Sequence, residues 1–210
     1  MRLNSKTMQK GLIKVSDYIL ELKGITKIFP GVKALDNVHF QLKKGEIHAL
    51  MGENGAGKST FIKVITGVHI PEEGEIYLKG ERVSFRNPKD AQNCSIAAIY
   101  QHGTTYPYLS VTENIFIGHE KMTKLNTIDW KRMHAEAKDL LEHIGSDIDP
   151  HVSMGNLTVA QQQVVEIAKA ISTHAEIIIM DEPTAALSKR ECEGLYKITE
   201  QLRDEGKSII

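Results

Sequence analysis

The chain has 210 residues, 41% hydrophobic and 25% charged, which suffices for one substantial packed domain and is ordinary for a soluble globular protein. Its formal net charge of −1 supplies no global basic field for nucleic acid, and no apolar run approaches the length of a membrane span. Cys94 and Cys192 stand alone, without a CxxC or paired histidines, which excludes an evident zinc module and fits a reducing compartment.

Residues 1–17 carry Lys6, Lys10 and Lys14 among apolar residues with no continuous hydrophobic stretch, so they read as a flexible leader and not as a signal peptide. Residues 18–22 and 38–42 alternate as strands of a partly exposed sheet, and residues 47–51 form a short apolar run suited to a buried strand. After a glycine-rich loop at residues 52–57, residues 58–66 predict a helix closed by Gly67. A turn at 71–74 precedes a strand at 75–78 and a second turn at Lys79-Gly80; the pattern turns helical near Asn87 and returns to strand at 96–100.

Residues from 102 to about 156 have a different, helical character. Within them, residues 130–144 place Met133, Ala137, Leu140, Leu141 and Ile144 on one helix face, with Asp129 as N-cap and Gly145 as the stop. Residues 161–172 predict a second amphipathic helix, with Val164, Val165, Ile167, Ala168 and Ile171 inward. The run Ile177–Met180 is apolar throughout, as a parallel strand buried on both faces requires. A helix over 190–205, stopped by Gly206, leads to a strand beginning at Ser208. The order is that of an α/β protein: a β-rich start, a parallel core, a helical insertion and a return to the core.

Two stretches carry chemistry. Gly52, Glu53, Asn54, Gly55, Ala56, Gly57, Lys58, Ser59 and Thr60 fit G-x-x-x-x-G-K-[ST] between a predicted strand and helix. The glycines let successive backbone N–H groups turn inward at a helix N-terminus and form a nest for phosphate oxygens. Lys58 would neutralise the β- and γ-phosphates of ATP, and the Ser59 hydroxyl would ligate Mg²⁺. The second stretch is the apolar strand that ends in Asp181 and Glu182. Ligands of open α/β sheets bind beyond the carboxyl ends of strands, so Asp181 is placed to hold Mg²⁺ and Glu182 to act as general base toward water.

With these motifs in place, the chain from residue 18 to 210 resembles the nucleotide-binding subunits of ABC transporters, and most of all those of bacterial monosaccharide importers of the ribose and galactose type. The strings that carry the resemblance are FPGVKALDNV from Phe29, GENGAGKST from Gly52, ENIFIG from Glu113, LTVAQQQVVEIAKAI from Leu157 and MDEPTAALS from Met180. It implies a P-loop NTPase with an N-terminal antiparallel β subdomain, a parallel-sheet core and a helical subdomain at about 102–165. It also implies that Phe29 stacks on adenine. Gln101 would touch Mg²⁺ or the lytic water and join the core to the helical insertion.

The resemblance further implies that Thr158, Val159, Ala160 and Gln161 lie in the signature motif, which caps the γ-phosphate of ATP held by a second ATPase domain. Val159 and Ala160 replace its two glycines, removing φ > 0 freedom there, and His102 stands where sugar importers usually carry Glu. The family's switch histidine would fall beyond Ile210, and such importers carry a second ATPase half, so the chain is expected to be a fragment of the first half. The implied partners are ATP, permease subunits, a second ATPase domain and, indirectly, a periplasmic or lipid-anchored sugar-binding protein, with no nucleic acid. The implied place is the cytoplasmic face of the inner membrane. A soluble ABC ATPase acting on nucleic acid or ribosomes, and an exporter ATPase, are the alternatives.

Overall fold

The structure, a computed structural model, describes residues 17–100 and 105–210. The leader up to residue 16, Gln101, His102 and the first residues of the expected insertion lie outside the described residues. The first layer is an antiparallel sheet of β1 (Tyr18–Phe29), β2 (Val32–Lys43), β3 (Glu73–Leu78) and β4 (Glu81–Val83), in the order β2-β1-β3-β4. β1 and β2 form one long hairpin, in which Phe29 pairs with Val32 across Pro30-Gly31. Both strands run well beyond the segments predicted. Four register shifts along the hairpin break the strict alternation on which a strand is recognised. The turn expected at 71–74 is shorter than predicted, because Glu73 and Gly74 already belong to β3.

The second sheet is parallel, in the order β5 (Ile96–Ile99), β6 (Ile177–Met180), β7 (Ser208–Ile209). It separates two hydrophobic cores. Ile177 and Ile179 of β6 face the core shared with β1, β2, β3 and helix α1 (Lys58–Ile65), while Ile178 faces the other way. The second core is filled by α3 (Val111–Phe116), α4 (Trp130–His143), α5 (Val159–Ser172) and α6 (Lys189–Asp204). Ile177, Ile178 and Ile179 are essentially fully buried, each worth about 1.5–3 kcal/mol relative to exposure. A short helix α2 (Pro88–Asn93), capped by the Asn87 side chain, leads into β5.

The helix ends follow the residues that stop and start them. Asp129 accepts the Arg132 N–H at 3.1 Å, and Gly145 takes φ 74 after α4. Met133, Ala137, Leu141 and Ile144 are buried as expected, and Leu140 packs at the margin. Ser188 opens α6 with a capping box to Glu191.

The segment 47–51 departs from expectation. It is not a buried strand: Ile47 forms a single parallel bridge to Ile209, and Ile47 and Met51 are exposed. Two backbone bonds, His48 N–H to the Ile209 carbonyl and Ile209 N–H to the Glu46 carbonyl, both 2.8 Å, fix its start. Among the described residues this single bridge is the run's strand pairing, and apolar composition alone does not make a strand without a pairing neighbour.

Candidate functional site

The glycine-rich loop leaves the end of that segment and delivers the chain into α1. Gly57, the N-cap, has φ 89 and ψ 2, a left-handed conformation that a side chain strongly disfavours. It also lies against β2, where a Cβ would come within 2.6 Å of the Ala34 carbonyl oxygen. The first intrahelical bond runs from the Phe61 N–H to the Gly57 carbonyl at 2.8 Å, so the N–H groups of Lys58, Ser59 and Thr60 head the helix. Inside the loop, Ala56 N–H donates to the Glu53 carbonyl at 3.1 Å. The Lys58 ammonium crosses the loop and donates to the carbonyls of Gly52 at 2.6 Å and Glu53 at 3.1 Å.

These residues open on a cleft of about 820 Å³. Its walls are Asn54 to Thr60 on the loop side, Phe29, Val32, Lys33 and Ala34 from the β1–β2 hairpin, and Glu182 from the end of β6. Glu182 reaches this position with φ 51, and Lys58 and Glu182 also face an adjoining apolar pocket of about 320 Å³ together with Asp181. The Asp181 backbone is held by its N–H to the Ile99 carbonyl at 2.9 Å. Burial pushes the Asp181 carboxyl above its usual range and the neighbouring Glu182 adds to this, while Lys63 and Lys58 act in the opposite direction. Eight residues that fit phosphate and base binding in the sequence, Phe29 and Asn54 to Thr60, thus share one cleft with Glu182, whereas Gly52 and Glu53 do not line it.

The donor set suits Mg²⁺ in a particular way. Among the described residues no three His, Cys, Asp or Glu side chains cluster as a cage for a metal. One hydroxyl, Ser59, and one carboxylate, Asp181, are the kind of donors a hard cation that keeps its waters and phosphate ligands requires of a protein. By their chemistry the two residues fit such an ion; Ser59 lines the cleft and Asp181 the adjoining pocket.

The signature residues lie elsewhere. Leu157 to Gln161 contribute nothing to the lining of the 820 Å³ cleft. Thr158 is the N-cap of α5: its hydroxyl accepts the Gln161 N–H at 3.3 Å, and the Gln161 side chain accepts the Thr158 N–H at 3.0 Å. Val159 and Ala160 occupy the first helical turn, neither with positive φ, so glycine freedom is not required at these positions. Val159 is more than half exposed, at 54%.

Several residues around the cleft were not singled out in the sequence. Val32 and Lys33 follow from the Pro-Gly turn that brings β2 back beside Phe29. His69 and Lys27, which meet the Phe29 ring, and Glu72, which binds Lys27, carry no motif, and His69 and Glu72 lie in a segment far along the chain from β1.

Comparison with known proteins is informative once this geometry is in view. The family described as ABC transporter matches residues 35–185. The chain is similar to the xylose import ATP-binding protein of Geobacillus kaustophilus, at 52% identity over 93% of this chain and 39% of that protein. It is similar to a ribose import ATP-binding protein of Rhizobium etli at 49% identity, over 91% and 38%. The chain therefore spans about two fifths of the length of these relatives. Among solved structures it resembles an ATP-binding cassette of an ABC transporter in its ADP conformation, with a TM-score of 0.82 and 27% identity over 92% of this chain and 80% of that one. It also resembles a bacterial ABC transporter cassette solved as a dimer, with a TM-score of 0.75 and 26% identity over 90% and 85%.

Proposed function

The chain belongs to the ABC transporter family, and from that premise we propose that it binds Mg-ATP in the 820 Å³ cleft and forms part of the ATP-hydrolysing subunit of a monosaccharide importer. The observation that carries this reading is the meeting of the loop N–H groups, Lys58, Ser59 and Glu182 in one cleft, with Asp181 in the adjoining pocket that Lys58 and Glu182 also line. The head of α1 and the Lys58 ammonium together offer positive potential where the β- and γ-phosphates would lie. Ser59 and Asp181 would hold Mg²⁺, which supplies charge neutralisation to the phosphates when bound, and Gln101 joins them by resemblance. Glu182 takes the proton of the attacking water as the bond between the γ-phosphorus and the bridging oxygen breaks. Phe29 presents its ring to the base.

The signature turn at Thr158 to Gln161 is absent from this cleft's walls, which supports its use toward a nucleotide held by a second ATPase domain. Permease subunits bound to the helical subdomain, with a sugar-binding protein beyond them, would convert closure of the two domains into uptake. No helix among the described residues is long and apolar enough to cross a membrane, which accords with a peripheral place on the inner membrane. The relatives' names, xylose and ribose import, support a monosaccharide as cargo.

The test is equilibrium binding of Mg-ATP to the chain and to Lys58→Ala. Loss of charge-assisted hydrogen bonds worth about 1.5–3 kcal/mol weakens affinity roughly ten- to hundred-fold. Equal affinity of the two proteins would overturn the site assignment.

A further inference from the structure

Phe29 ends β1 at the tip of a hairpin, half-buried, where only the facing Val32 pairs with it. Two groups hold the ring, His69 from beyond α1 and Lys27 from β1 itself. The His69 ring meets it edge to face, with centroids 5.2 Å apart and planes at 72°. The Lys27 ammonium lies over the ring, 5.3 Å from its centroid. That ammonium is itself fixed, donating to Glu72 Oε1 at 2.6 Å and to the Ile70 carbonyl at 2.8 Å. The other Glu72 oxygen accepts the Ile28 N–H at 2.7 Å, and Glu72 N–H donates to the Thr26 carbonyl at 2.9 Å.

The segment that supplies His69, Ile70 and Glu72 follows α1 after Thr66, Gly67 and Val68, and His69 N–H is tied back to the Lys63 carbonyl of that helix at 2.9 Å. One end of α1 therefore bears the phosphate nest, and the other end leads into the segment that grips Phe29. We propose that His69, with the Glu72-anchored Lys27, is a positioning residue that fixes the Phe29 ring as a base platform at a set distance from the phosphate loop. The inference rests on the reading of Phe29 as the surface that stacks on adenine. With its charge satisfied by Glu72, Lys27 acts on the ring and not on a phosphate. An edge-to-face partner orients an aromatic plane because rings prefer that arrangement over a free one.

The experiment compares the affinities of the 210-residue chain for Mg-ATP and for Mg-tripolyphosphate, which has the phosphates without the base. Phe29→Ala weakens ATP and spares tripolyphosphate. His69→Ala gives the same selective loss, roughly two- to ten-fold, and His69→Phe, which keeps an aromatic edge, restores affinity. Lys27→Met, retaining the aliphatic stem, supplies a second arm with the same selective loss. In the Phe29→Ala background neither change has any further effect. A His69→Ala loss that is equal for both ligands, or that persists without Phe29, overturns the proposal, as does an unchanged ATP-to-tripolyphosphate ratio. If Phe29→Ala leaves ATP affinity unchanged, the platform reading itself fails and the positioning role falls with it.

Discussion

Replacing Gly57 by Ala tests the geometry of the phosphate loop against its own neighbour, Gly55. Both glycines have nearly the same left-handed φ, +89 and +85, so the intrinsic strain of adding a side chain is about 1–2 kcal/mol at each. They differ in what the new methyl group meets. At Gly55 nothing lies within 4 Å. At Gly57 the Cβ would fall 2.6 Å from the Ala34 carbonyl oxygen and 3.1 Å from Leu35 Cδ2. The oxygen belongs to the β2 backbone, which the hairpin with β1 holds in place, so the helix head must move instead. Overpacking of this kind adds about 1–3 kcal/mol, for a total of about 2–5 kcal/mol against about 1–2 kcal/mol for Gly55→Ala. Urea unfolding of the two variants, with m-values unchanged, reads the difference directly, and Tm should follow at roughly 2–4 °C per kcal/mol for a chain of this size. Equal losses at the two sites would refute the argument from close approach and leave only backbone strain.

Two further outcomes follow from the site. Thr158→Ala removes a reciprocal cap from α5 and lowers stability by about 1 kcal/mol in urea unfolding, while Thr158→Ser, which keeps the hydroxyl, restores it; no loss in the Ala variant would deny the cap its role. Because burial and Glu182 raise the Asp181 pKa, this carboxyl takes up a proton at higher pH than ordinary carboxylates. The folded chain binds that proton more readily than the unfolded one, so this group's contribution to stability grows as pH falls through its titration and is lost as pH rises. Mg-ATP affinity should move the other way, weakening on acidification as this carboxyl takes up its proton, and titration calorimetry should find this limb missing in Asp181→Asn.

How much of this was legible depended on whether a local signal matched a local cause. The phosphate loop, the run Ile177–Met180 and the caps Asp129 and Gly145 are each written in a few adjacent residues, and the family strings add Phe29 and the signature turn. α3 has only six residues, too few to show a period, although its capping box Ser110-x-x-Glu113 was there to be read. Residues 47–51 misled because hydrophobicity reports burial against something, and strand formation depends on a neighbour that composition does not name. The grip on Phe29 was invisible for a similar reason. Lys27, His69 and Glu72 meet only after α1 has carried the chain back to β1, and no spacing along the sequence encodes that return.

β6 is a partition one strand thick. Ile177 and Ile179 belong to the core beneath the antiparallel sheet and α1, and Ile178 to the core of the helices. Close-packed interiors transmit displacement because they have little free volume to absorb it. A strand gripped on both faces moves only as its two surroundings move together, and Asp181 and Glu182 are the next residues along it. The two carboxylates thus ride on a common bulkhead, whose place is set by both cores at once.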